Sequence, residues 1–127
     1  MLRKDERQIK PEPDCIFCKI IRKEIGAEIV YEDDKFSVFK DANPSAPTHL
    51  LIVPKEHLEL VGGDLEKRAD VLGRIFALSR KVAADAGVLK SGYKLVTNAG
   101  RGAGQTVDHL HIHLIGGWES PDEVRHV

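Results

Sequence analysis

The chain has 127 residues, 42% of them hydrophobic, which is enough for one domain with a sizeable core. Its 19 basic and 20 acidic side chains leave a formal net charge of -1, which excludes a general electrostatic pull toward nucleic acid. No stretch reaches the about 18 uninterrupted apolar residues of a membrane span, and the polar start Met1 to Arg7 has no signal-peptide pattern, so a cytoplasmic protein without membrane contact is expected.

Residues 1–13 are mostly charged and end in Pro11-Glu12-Pro13, a flexible leader before a single domain over 14–127. Asp14 is placed to cap a helix from Cys15 to Glu24, whose apolar stripe is Phe17, Ile20 and Ile21, with Gly26 ending it. Glu28 to Glu32 and Lys35 to Lys40 alternate around Asp33-Asp34 and predict a β-hairpin. Asp41 to Pro47 is a two-proline loop, and Thr48 to Val53 is an almost wholly apolar strand, central in its sheet and closed by Pro54.

From Glu66 to Ala86 the period changes. Leu72, Ile75, Phe76, Ser79, Val82, Ala83 and Ala86 keep helical spacing, and Gly87 stands where a C-terminal cap glycine belongs. Tyr93 to Thr97 and Val107 to Ile115 are strands joined by a glycine-rich loop. The tail from Gly116 has one apolar anchor, Trp118. This order predicts an α+β domain with helices covering one face of an antiparallel sheet.

The last strand carries the chemistry. His109, His111 and His113 alternate with Leu110, Ile112 and Leu114, so the two-residue period puts three imidazoles on one face and three apolar side chains on the other. A single metal does not explain the row, because its outer α-carbons lie roughly 13 Å apart at strand rise while zinc holds its nitrogens at about 2.0–2.1 Å. Imidazole titrates near pH 6.5, so a neutral ring is available as a nucleophile and its neighbours as proton or anion holders.

Just before it, Asn98 to Thr106 contains Gly100, Gly102 and Gly104. Taken alone this is an ordinary turn. Beside three histidines it reads as a phosphate cradle of backbone N–H groups, with Asn98, Gln105 and Thr106 as neutral donors. It is not a Walker loop, since no Gly-Lys-Ser or Gly-Lys-Thr follows. Cys15 and Cys18 have C-x₂-C spacing, half of a four-ligand zinc site or else two buried thiols, and His49 and His109 are the candidates to complete it. Asp41 before a proline turn is by itself a turn former. His57 and His126 are isolated and read as surface residues without a role.

The run His109 to Ile115 resembles the histidine-triad signature of the HIT superfamily of nucleotide hydrolases and transferases. Thr48-His49, Asn98, Gly104-Gln105 and Gly116-Gly117 resemble its Hint, or protein-kinase-C-inhibitor-like, nucleotide phosphoramidase branch. His113 stands where the galactose-1-phosphate uridylyltransferase branch has glutamine. The residues after the triad also lack the proline and basic side chains of the dinucleoside polyphosphate branch.

The resemblance implies a five-stranded sheet with one long and one short helix. It further implies a two-fold homodimer, paired through the long helix and the strand after it into a ten-stranded sheet. The implied substrate is a purine nucleoside 5′-phosphoramidate of the adenosine type, with AMP as the bound nucleotide. His111 would attack the α-phosphorus and carry the nucleotide covalently, His113 and the loop would hold the phosphoryl oxygens, and His109 and His49 would set the protons behind them. Gly104, Gln105, Thr106 and Asn98 match phosphate-contacting positions and Asp41 a ribose-binding acid. Ile16, Phe17, Ile20, Phe39 and Leu51, core residues on any other reading, match the base slot. Zinc on Cys15, Cys18, His49 and His109 would be structural, with no catalytic cofactor. Asp108 and the tail from Trp118 depart from the pattern. The alternatives are a dinucleoside polyphosphate hydrolase and a nucleotide-binding regulatory protein with incidental hydrolysis.

Overall fold

The computed structural model describes residues 15–124. The expected leader, the Asp14 cap and His126 lie outside the described residues. Helix α1 spans Ile16–Ile21, strands β1 to β3 span Ile29–Glu32, Phe36–Lys40 and Thr48–Pro54, helix α2 spans Ala69–Asp85, and strands β4 and β5 span Tyr93–Val96 and Ile112–Gly116. The five strands form one antiparallel sheet in the order β1-β2-β3-β5-β4, which leaves β1 and β4 as its edges.

Helix α1 is shorter than its periodicity predicts. Cys15 is its N-cap, with Sγ accepting from the Cys18 amide at 3.4 Å. At the other end Lys23 takes φ of 64°, its amide reaching the Ile20 carbonyl at 3.0 Å and the Glu24 amide reaching Lys19 at 2.9 Å. This is a Schellman closure with lysine where glycine is usual, at a cost of about 1 kcal/mol, so the helix stops before Glu24. Helix α2 closes the same way at Gly87, φ 79°, where the Val88 amide reaches Ala83 at 2.9 Å and the Gly87 amide reaches Ala84 at 3.1 Å. There the expected glycine is in place.

The helices lie on opposite faces, not on one. Ile75, Leu78, Val82 and Ala83 of α2 pack on Leu50, Ile52, Ile112 and Leu114, while Phe17 and Ile20 of α1 pack on Phe39, Leu51 and Val53. Strand β3 is therefore buried on both sides, and its lack of polar alternation is the direct consequence. Three members of the predicted α2 stripe do not join the core: Leu72 is only half-buried, Phe76 is 59% exposed and Ala86 is exposed.

Register then decides which side chains share the α1 face. Leu51 pairs with Phe39 on one side and His113 on the other, and His49 pairs with Ile115. His49 and His113 are thus diagonal neighbours on that face. Strand β5 begins at Ile112 and not at Val107, because the ladder with β3 ends at Ile52 and other bonds take over. The Leu110 amide reaches the Leu58 carbonyl at 2.7 Å, the Thr97 hydroxyl donates to the His111 carbonyl at 2.9 Å, and His109 Nε2 donates to the Pro54 carbonyl at 2.8 Å. Pro54 has no N–H with which to extend the pairing.

Candidate active site and metal centre

The α1 face carries a cavity of about 630 Å³ lined by His111 and His113. Its apolar wall contains Ile16, Phe17, Ile20, Phe39 and Leu51, and its polar rim contains Asp41, Asn98, Gly104 and Thr106. Of the residues expected to hold a nucleotide, only Gln105 does not line it. Gln105 is 4% exposed and spends its amide within the loop: Oε1 accepts from the Gly100 amide at 2.7 Å and Nε2 donates to the Val107 carbonyl at 2.9 Å. The side chain closes the loop across Gly100 and Gly104, both at positive φ, and does not reach the cavity. Asp108, which departs from the family pattern, is more than half exposed and pairs with Arg101 at 2.8 Å.

Hydrogen-bond partners fix where the protons of the triad sit. A carbonyl only accepts, so His111, whose Nδ1 lies 2.7 Å from the His109 carbonyl, carries its proton on Nδ1 and leaves the Nε2 lone pair bare. Burial, with the charge of His109 adding to it and the bond to the His109 carbonyl opposing it, holds the His111 imidazole below its ordinary pKa and keeps it neutral. The edge of Phe17 meets the ring at 5.0 Å between centroids. An uncharged imidazole with a bare Nε2 beside an apolar slot is chemically a nucleophile.

His113 lies beside it, ring centroids 5.1 Å apart. Burial lowers its pKa to about 4, with the charges of His111 and His49 adding to the effect and Asp41 opposing it. At neutral pH it is a neutral hydrogen-bond donor and not a general acid. His49 Nε2 is 2.9 Å from His113 Nδ1 and 3.3 Å from Asp41 Oδ2, and Asp41 Oδ1 accepts from the Asn43 amide at 2.8 Å. A second cavity of about 440 Å³ shares Asn98 and His113 and is bounded by Trp118 and Glu123 of the tail.

The cluster that could hold a metal differs from the expected ligand set at one position. Cys15, Cys18, His57 and His109 gather their ligand atoms within 4.8 Å of one another, and His49 is not among them. His109 Nδ1 lies 3.4 Å from both sulfurs, and His57 Nδ1 lies 3.3 Å from Cys18. A tetrahedral zinc with usual bond lengths has S···N edges of about 3.6 Å, so these edges need to open by only roughly 0.2–0.3 Å. Proton placement agrees, since His109 commits Nε2 to the Pro54 carbonyl and turns its Nδ1 lone pair to the sulfurs. Burial pushes the Cys15 thiol up, while bonds from His109 and His57 in their protonated form and from the Cys18 amide bring it down to about 5, so positive charge at this spot favours the thiolate form that metals bind.

His57 is therefore a correction. It is 6% exposed, not a surface residue, because the Leu58 carbonyl is tied to the triad segment and draws the loop after β3 inward. Its partners are 39 and 52 positions away in the chain, so no local pattern marks it. The one available signal was arithmetic: a C-x₂-C pair needs two further ligands, and the chain has only 6 histidines.

Comparison with known proteins gives a consistent result. The model of the family described as HIT domain matches residues 22–120. A relative from Escherichia coli strain K12, purine nucleoside phosphoramidase, is 42% identical over 104 residues, covering 82% of this chain and 87% of the relative. Protein HitA of Neisseria gonorrhoeae is 45% identical over 103 residues, covering 81% and 95%. Among solved structures, a HIT family hydrolase from Clostridium thermocellum superposes with a TM-score of 0.81 at 48% identity, covering 86% of this chain and 95% of that one.

Proposed function

The chain belongs to the HIT domain family, and on that premise we propose that it is a hydrolase of purine nucleoside 5′-phosphoramidates, acting through a nucleotidyl-histidine intermediate. One observation carries the reading: His111 presents an unprotonated Nε2 in a cavity that has an apolar slot on one side and a glycine loop on the other.

The base lies in the slot between Ile16, Phe17, Ile20, Phe39 and Leu51, and Asp41 accepts the ribose hydroxyls. The phosphoryl group lies among His113, Asn98, Thr106 and the backbone at Gly104, with Gln105 holding the loop in shape. His111 Nε2 forms a bond to the α-phosphorus as the phosphorus–nitrogen bond breaks, and the departing amine takes up a proton from solvent water, which regains it when the attacking water of the second step gives up its own. Water then attacks the phosphorus, AMP is released, and His111 returns to its starting form. Neutral donors suit this step, because the phosphoryl oxygens gain negative charge in the transition state and a preset donor needs no reorganisation. The amine departs toward the adjoining cavity at Trp118.

Cys15, Cys18, His57 and His109 would hold a zinc ion in a structural role, and a tie between these four side chains would fix α1, and with it Phe17 and the base slot, against the triad segment. The E. coli relative's name supports the phosphorus–nitrogen substrate over the dinucleoside polyphosphate alternative. Steady-state rates on adenosine 5′-phosphoramidate and diadenosine tetraphosphate decide between them. The expected kcat/KM for the phosphoramidate is at least about a hundredfold higher, and the opposite order overturns the reading.

A further inference from the structure

Two clusters of ligating side chains flank the triad, and they differ in what their protons allow. Asp41, His49 and His113 offer ligand atoms separated by 2.9, 3.3 and 4.0 Å. A point about 2.0 Å from all three exists, which is a metal–nitrogen distance. By spacing alone this is a second divalent-cation site. The backbone of Ser45 argues against it. Its N–H donates to His49 Nδ1 at 2.9 Å, with the Ser45 hydroxyl 3.3 Å from the same nitrogen. An amide N–H only donates, so His49 Nδ1 is bare and its ring proton is on Nε2, the atom a metal would need. The Asp41 carboxylate at 3.3 Å demands that same proton from the other side.

The consequence passes to the next ring. Two nitrogens 2.9 Å apart hold one proton between them, and His49 Nε2 already supplies it. His113 Nδ1 can then only accept. Its own proton stands on Nε2, the far side of the ring from His49.

We propose that the Ser45 amide, acting through His49 with Asp41 as counterpart, presets His113 as an Nε2–H donor to the phosphoryl group. Ser45 is a positioning residue through its backbone, and nothing in its side-chain identity or its place in a two-proline loop marks it. The phosphoryl half of the statement rests on the hydrolase reading above, whereas the proton positions do not. In this arrangement the cluster holds protons and not a metal, while its neighbour built on Cys15, Cys18, His57 and His109 has the bare Nδ1 of His109 facing the sulfurs.

The test is nitrogen NMR on protein labelled at histidine and backbone amides, at pH 8, where neutral imidazoles show their tautomers directly. Expected are Nε2–H forms for both His49 and His113, and couplings across the hydrogen bonds from the Ser45 amide to His49 Nδ1 and from His49 Nε2 to His113 Nδ1. An Nδ1–H form at either ring overturns the proposal. His49→Phe removes the donor at His113 Nδ1 and leaves Asp41 as the nearest acceptor, so His113 should shift to Nδ1–H; an unchanged tautomer overturns the relay. Ser45→Pro deletes the N–H in a loop that already holds Pro44 and Pro47. It should lower kcat on adenosine phosphoramidate at least about threefold with KM within about twofold, and an unaltered kcat in the folded variant counts against the amide. Absence of phosphoramidate turnover in wild type with both tautomers in place would overturn the hydrolase reading and leave the proton relay standing.

Discussion

His57 Nδ1 lies 3.3 Å from the Cys18 sulfur, although 39 positions separate the two residues. That contact puts His57, which sequence reads as a surface residue without a role, into the cluster that could hold a metal, where His49 of β3 was expected. His57→Ala should abolish binding of about one zinc per chain, read by elemental analysis. It should also lower stability by roughly 3 kcal/mol or more, about 10 °C in Tm, as loss of a structural metal does. His49→Ala should retain the zinc. Retention after His57→Ala, or loss after His49→Ala, would restore the ligand set read from sequence.

Strand β4 is an edge of the sheet with all four residues half-buried, and α2 leaves Phe76 59% exposed. An unpaired edge and an exposed aromatic side chain are each a liability that a two-fold mate can remove. Light scattering at micromolar concentration should give twice the mass of one chain, and Phe76→Glu should shift it toward one. A wild-type monomer would contradict this.

What sequence disclosed and what it hid follow a common physical line. The triad face, the Gly87 cap and the fully apolar β3 were legible because each is a local pattern, set by a period or by one backbone conformation. That Phe17, Phe39 and Leu51 wall a cavity beside the triad was legible only through family resemblance, since nothing local separates such a wall from core. His57 and Gln105 were misplaced for the opposite reason. Their roles depend on partners brought in by the fold: for His57 the sulfurs of α1, for Gln105 the amide of Gly100. The opposite placement of the two helices is likewise tertiary, decided by β3 having two apolar faces to cover.

Proton uptake at His113 should make stability depend on pH. Burial and the charges of His111 and His49 hold its pKa near 4, whereas the unfolded chain titrates near 6.5. Between these values the unfolded state binds a proton that the native state refuses. Stability is therefore fully present above about pH 6.5 and is lost as pH falls toward 4, with a slope of up to about 1.4 kcal/mol per pH unit from this group. Urea unfolding at pH 7, 5.5 and 4.5 should show a steeper decline in wild type than in His113→Gln. Equal slopes would mean that His113 titrates normally in the folded protein.

The division of labour between His111 and His113 gives the sharpest kinetic expectation. In the proposed reaction His111 supplies the attacking atom, so His111→Ala should lower kcat by at least about a thousandfold, roughly 4 kcal/mol of lost barrier reduction. It should still bind AMP, because the slot around Phe17 and Phe39, the acid Asp41 and the loop remain. His113→Ala removes a neutral donor and not the nucleophile, so it should slow turnover by about 10²–10³, the effect of losing one donor to a developing oxyanion. Rapid quench of wild type with labelled substrate should trap nucleotide on His111 through an acid-labile, base-stable bond. His113→Ala should still show that adduct, formed more slowly. If His111→Ala keeps more than about a tenth of wild-type kcat, the shortfall is under roughly 1.4 kcal/mol, too small for the loss of a covalent step. The bare Nε2 would then serve binding alone, and the regulatory alternative would account better for the cavity.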